Sequence, residues 1–170
     1  MIPPVKDNGL AVTRVNPRNR FVEFSEEETE QSIAARFEKQ VCKYPHRIAV
    51  QTSHVQLTYN DLNNSANRLA RILLQQIPDD GPIAILMEHD AYAVVSILGA
   101  LKASKIFIPL DPALPDTRIG QILSDSGTHS IVTNDKCLHT ALDLPEGGGR
   151  IGNVDHYDYA PINTDNLDLK

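Results

Sequence analysis

Lys102, Lys105 and Asp111 are the residues whose types and spacing come nearest to chemistry in this chain. They lie in the run LKASKIFIPLDP, residues 101–112. Asp111 directly follows a short apolar segment. If that segment is a strand, the carboxylate stands at the sheet edge where α/β proteins bind ligands. Lys102 and Lys105 flank the end of an apolar helix-like segment, where the backbone dipole favours cations. All three are therefore expected as helix-end and turn residues rather than catalysts. The other candidates are weaker. Gly147-Gly148-Gly149 is not followed by Lys-Ser or Lys-Thr, so it reads as a turn and not as a phosphate cradle. Gly99 falls mid-helix, where a missing side chain permits close packing. No serine sits in a nucleophile-elbow pattern, and no dinucleotide fingerprint follows a strand. The six histidines form no helical pair, and Cys42 and Cys137 have no metal-like spacing. Residue chemistry alone thus names no catalytic, cofactor-binding or metal-binding residue.

Composition narrows the classes further. At 170 residues the chain can bury one sizeable core. It is 41% hydrophobic and 22% charged, which is the globular range. The net charge is −6, and the whole excess falls after residue 85. That balance argues against a nucleic-acid backbone binder, and the absence of Trp argues against a stacking platform. The longest apolar run, residues 91–101, is interrupted by Ser96 and is too short to span a bilayer. Two isolated thiols and no leader-like segment suit a cytoplasmic protein.

The elements that must position these residues follow from periodicity. Residues 1–28, rich in Pro, Asn and charge, read as an extended N-terminal arm, onto which Phe21, Val22 and Phe24 give apolar handles. A helix is expected over 31–43, with Ile33, Phe37, Val41 and Tyr44 on one face. Pro45 ends it. Residues 47–52 and 55–58 read as a hairpin placed at an antiparallel sheet edge. Thr58 and Asp61 have capping-box spacing. The helix behind them carries Leu62, Ala66, Leu69, Ala70, Leu73 and Ile77 on one face. The run 83–87 is continuously apolar, as a strand covered on both faces would be. Asp90 caps a helix over 91–103, apolar almost all round and so buried. Residues 106–108 form the next strand. Pro115 suits the first turn of a helix marked by Ile119, Ile122 and Leu123, and Gly127 stops it. A strand at 130–133, a short helix at 137–142, a turn at 146–149 and a weak strand at 150–154 complete the pattern. The remainder reads as irregular. Alternating strands and helices imply an α/β class, a mainly parallel sheet with helices on both faces.

Two stretches carry a resemblance. LKASKIFIPLDP (101–112) resembles the second core motif of amino-acid adenylation domains in nonribosomal peptide synthetases. LTYNDLNNSANRLARILL (57–74) resembles their first core motif and its helix. SIAARFEKQV (32–41), YPHRIAV (44–50), IAILME (83–88), AVVSILGALKA (93–103) and RIGQILSDSGTHSIVTND (118–135) agree in order and spacing. Ser104 stands where the family usually has glycine, and Asp61 where it usually has glutamate. The first puts a side chain where positive φ is expected; the second keeps the capping chemistry.

The resemblance implies the incomplete N-terminal part of an adenylate-forming enzyme's large domain. On that reading residues 29–160 belong to the AMP-dependent synthetase/ligase domain, and 161–170 are a truncated tail. The family activates an amino acid with ATP and Mg, releases pyrophosphate and passes the acyl group to a carrier-protein phosphopantetheine thiol. Its phosphate loop ending in Lys-Gly, its nucleotide- and metal-binding residues and its catalytic lysine match no position among these 170 residues. None is therefore assigned here. The expectation is a piece inactive alone, whose partners are the missing remainder of the domain and a carrier protein, with no nucleic acid and no membrane. The alternatives are half of a split ligase completed by a second chain, and a non-enzymatic binding or scaffold module. Acyl-CoA synthetase or luciferase-like relatives are the runner-up within the superfamily.

Overall fold

Alternating side chains on four short strands decide the architecture. The computed structural model describes residues 26–144, 149–157 and 162–168. Backbone contacts divide the chain into residues 1–30 and 31–170. Of the first unit, only a 3-10 turn at Glu26–Glu30 is described, closed by the Thr29 hydroxyl donating to the Glu26 carbonyl at 2.6 Å. The rest of the expected arm, including Phe21, Val22 and Phe24, lies outside the described residues, as do Gly147 and Gly148.

In the second unit, β3 (Ile83–Leu86), β4 (Phe107–Leu110), β5 (Ser130–Thr133) and β6 (Arg150–Asn153) form one parallel sheet in the order β4-β3-β5-β6. The strand register pairs Ile83 with Phe107 on one side and with Ser130 on the other. Both central strands are fully buried. Ile83, Ile85 and Val132 point to one face, Ala84, Leu86 and Ile131 to the other, so helices must cover both. α2 (Tyr59–Gln76) and α3 (Ala91–Lys102) cover the first face, with α1 (Ile33–Lys43) packed on them. α4 (Asp116–Ser126) and α5 (Leu138–Asp143) cover the second. The mainly parallel sheet with helices on both faces is as the sequence implies.

Local chemistry fixes the helix ends. The Thr58 hydroxyl accepts from Asp61 N at 3.1 Å, and Asp61 Oδ2 accepts from Thr58 N at 3.2 Å, closing the expected capping box. Behind it, all six expected core residues of α2 and its end are buried. Gly99 lets α3 approach α2: a Cβ there would stand 3.1 Å from the Leu69 side chain. Asp90 Oδ1 caps α3 through Tyr92 N at 2.9 Å and Ala93 N at 3.1 Å. α4 ends at Gly127 with φ 63. Pro115 stands at its N-cap, one position before the helix proper.

Four expectations are corrected. The hairpin β1 (Ile48–Gln51) and β2 (Gln56–Thr58) is a separate two-stranded antiparallel sheet, not an edge of the main one. The edges of the main sheet are β4 and β6. Ile33 is 66% exposed, because α1 buries only a narrow stripe through Ala34 and Val41. Ile106 is 67% exposed and precedes β4, which instead runs through Pro109 to Leu110. A proline without an N–H is tolerated there because β4 is an edge strand. Finally, the last strand stops at Asn153, and Val154, expected to close it, instead opens a 3-10 turn over Val154–His156.

Candidate functional site at the carboxyl edge of the sheet

β3 connects to β4 on one side and β5 to β6 on the other, with α3 and α5 on opposite faces. The crevice between the carboxyl ends of β3 and β5 is therefore the topological switch point, where open α/β sheets take ligands. A cleft of about 490 Å³ lies there. The segment after β3 supplies Glu88, His89, Asp90 and Tyr92. The segment after β5 supplies Asn134 and Lys136, that after β6 supplies Asp155, and the β1–β2 turn adds His54.

The polar groups of this cleft mostly hold its loops. Asp90 is committed to the α3 N-terminus, so the positive end of that helix already has its anion. Lys136 Nζ meets Glu88 Oε2 at 2.9 Å, and that hydrogen bond holds the exposed ammonium pKa above its ordinary value. Asn134 Oδ1 accepts from Cys137 N at 3.1 Å. Asp155 Oδ2 accepts from Asp135 N at 2.9 Å, tying the β6 exit to the β5 exit. Asp135 Oδ1 in turn accepts from Asn153 Nδ2 at 2.7 Å and stands 3.0 Å from His156 Nε2. Burial pushes the Cys137 thiol up, away from a reactive thiolate.

The three residues singled out from sequence do not enter this cleft. Asp111 folds back on its own loop: its Oδ1 accepts from Ala113 N at 2.9 Å, and its carbonyl from Leu114 N at 3.1 Å. That is the turn role expected of it. Lys102 and Lys105 do end α3, but not as exposed cations. The Lys102 side chain is 0% exposed; its Nζ pairs with Glu38 of α1 and lies 6.0 Å from the Phe37 ring. Burial pulls its pKa down, opposed by the hydrogen bond and charge of Glu38. Lys105 is buried and donates to the Asp79 carbonyl. Sequence reasoning missed Glu38, which sits 64 residues away and carries no local signal. It also missed Asn63 and Asn67, both buried on α2.

The cleft does not fit a metal-bound polyphosphate. Its lining carries Glu88, Asp90 and Asp155 against the single ammonium of Lys136. Like charge repels an anionic ligand, and the one helix N-terminus is already capped. Among the described residues no group of three His, Cys, Asp or Glu side chains is placed to hold a metal ion. Nor is any helix among them long and apolar enough to cross a membrane.

Comparison with known proteins gives a consistent result. Residues 37–167 match the family described as AMP-binding enzyme. Over 120 residues the chain is 41% identical to surfactin synthase subunit 2 of Bacillus subtilis (strain 168), covering 70% of this chain and 3% of that protein. The nonribosomal peptide synthetase FmoA3, in its alpha-methyl-L-serine-AMP bound form, superposes with a TM-score of 0.73 at 26% identity. That match covers 82% of this chain and 16% of FmoA3. NpsA-ThdA, an artificially fused adenylation–PCP di-domain from Klebsiella oxytoca, shares the fold with a TM-score of 0.64 at 20% identity, over 74% of this chain and 23% of that one. The chain spans between 1% and 11% of the length of curated relatives it matches.

Proposed function

The chain belongs to the AMP-binding enzyme family, and from that premise we propose that it is the N-terminal part of an amino-acid adenylation domain of a nonribosomal peptide synthetase. The observation that carries this reading is the family match over residues 37–167, borne by a parallel sheet of the same architecture as FmoA3. In the complete enzyme the reading implies formation of an aminoacyl-AMP from an amino acid and Mg-ATP. The acyl group then passes to a phosphopantetheine thiol on a carrier protein. The remainder of the domain and that carrier are the partners it implies. The free thiols Cys42 and Cys137 suit a reducing cytoplasm.

Within the chain, the described side chains supply framework rather than phosphate chemistry. Transition-state stabilisation at a phosphoryl group needs cations or backbone donors aimed at developing negative charge. Here Lys102 and Lys105 are turned inward, and the cleft at the switch point is acidic. No step of the reaction is therefore assigned to these residues.

The test is amino-acid-dependent exchange of labelled pyrophosphate into ATP, with the 170-residue chain and the twenty common amino acids. The expected result is no exchange above a protein-free control. Turnover by this chain alone would confirm the adenylation chemistry and overturn the reading of the chain as a part that lacks the reacting groups.

A further inference from the structure

α2 buries two asparagines on the side where residues 162–168 run past it without secondary structure. Asn63, Asn67 and Arg71 stand four residues apart on α2, which places them on one stripe of the helix. Together they gather oxygens from four consecutive residues. Arg71 Nε donates to the Asn163 carbonyl at 3.1 Å, and its Nη2 donates to the Asp165 carbonyl at 2.8 Å. Asn67 Nδ2 donates to the Thr164 carbonyl at 2.7 Å and to Asn166 Oδ1 at 3.0 Å. Asn63 Nδ2 donates to the same Asn166 Oδ1 at 2.9 Å.

Three of these four acceptors are main-chain carbonyls, which any sequence provides. The fourth is a side chain, and it takes two bonds at once. With the segment in place Asn67 is 0% exposed and Asn63 6%, so while it stays neither amide reaches water and both must find their acceptors in it. Their own Oδ1 atoms, also buried, have no hydrogen-bond partner among the described residues. Each amide therefore depends on this segment for its satisfaction, and a buried donor left unpaired costs about 1–3 kcal/mol.

We propose that Asn166 is an acceptor pin. Its Oδ1, held between two buried amides, fixes the point at which the polypeptide leaves α2. Asn63, Asn67 and Arg71 are the positioning residues of that exit.

The experiment uses the full chain without nucleotide. Two signals are read: the exchange rate of the Asn63 and Asn67 side-chain amide protons by NMR, and the rate of limited proteolysis within residues 157–168. Asn166→Asp keeps an acceptor oxygen of the same reach, whereas Asn166→Leu removes it. Asn166 is exposed, so neither change disturbs the core. With Asn63 Nδ2 left unpaired and Asn67 Nδ2 left with the Thr164 carbonyl alone, Asn166→Leu is expected to raise both rates by about tenfold or more, while Asn166→Asp stays within about twofold of the unaltered chain. Asn166→Ala behaves as Asn166→Leu. Unchanged rates in the Leu and Ala variants overturn the pin, and so does an Asp variant as loose as they are. A negative result here leaves the adenylation reading untouched. Pyrophosphate exchange by the chain alone overturns only the reading of the chain as an incomplete part of the domain and leaves the pin standing.

Discussion

Ser104 and Gly127 end their helices in the same left-handed conformation, φ 55 and φ 63, although only one of them is glycine. The hydrogen bonds are also the same. After α3, Ser104 N donates to the Leu101 carbonyl at 3.1 Å and Lys105 N to the Ala100 carbonyl at 2.9 Å. After α4, Gly127 N donates to the Ser124 carbonyl at 3.1 Å and Thr128 N to the Leu123 carbonyl at 3.0 Å. Both are Schellman closures, which glycine favours because it has no Cβ to clash. Ser104 therefore carries backbone strain in the most apolar stretch of the chain.

Replacing that side chain should relieve the strain. A left-handed non-glycine residue costs about 1–2 kcal/mol, part of which the greater unfolded-state freedom of glycine offsets. Ser104→Gly is expected to raise stability by about 0.5–1 kcal/mol. Gly127→Ala is expected to lower it by about 1 kcal/mol. A Cβ at Gly127 meets nothing within 4 Å, so that cost is purely conformational. Urea unfolding midpoints of the two variants should move in opposite directions. A Ser104→Gly variant less stable than the parent removes the argument.

The sequence made the helix ends legible because capping is local chemistry. Thr58 and Asp61, Asp90, and Gly127 each act within four residues of themselves. The strands were legible because β3 and β5 are covered on both faces and so read as unbroken apolar runs. What stayed hidden depends on residues distant in sequence. Lys102 looks like a helix-end cation, and only the packing of α1 against α3 turns it inward onto Glu38. Asn63 and Asn67 look like polar positions of an amphipathic helix until residues 163–166 pass over them. The acidic cleft draws Glu88, Lys136 and Asp155 from three loops that meet only because their strands are parallel neighbours. Ile33 and Ile106 misled the reading because each lies at the end of an element, where the apolar pattern outruns the contact.

The capping box at the start of α2 gives a second prediction. Thr58 Oγ1 accepts from Asp61 N and itself lies 2.6 Å from Asp61 Oδ2, so one hydroxyl serves two bonds. Thr58→Ala is expected to cost about 1 kcal/mol, within the usual range for loss of an N-cap. Thr58→Ser keeps the hydroxyl and should recover most of that loss. Thermal unfolding of the two variants side by side checks it. Equal destabilisation by Ala and Ser would assign the effect to the lost methyl rather than to the cap.

The Lys102–Glu38 pair yields the last prediction, and its sign depends on which partner is removed. Lys102 is enclosed by α1 and α3, with Glu38 as its charged partner. Glu38→Ala leaves an uncompensated buried ammonium and is expected to cost about 3–5 kcal/mol. Lys102→Met replaces the ammonium with an apolar chain of similar length, beside the Phe37 ring. That change should be near neutral, since removing a buried charge returns its desolvation cost. The pH dependence follows from the lowered pKa of Lys102. A base whose folded pKa lies below its unfolded value binds fewer protons when folded, so stability rises with pH between the two values. The upper limit of that window is the unperturbed 10.5. Parent and Lys102→Met chains should therefore be compared by urea unfolding at pH 8 and near pH 10. The stability of the parent relative to the variant should increase with pH across that interval. A difference that stays flat, or one that falls as pH rises, would mean that burial does not dominate the environment of Lys102.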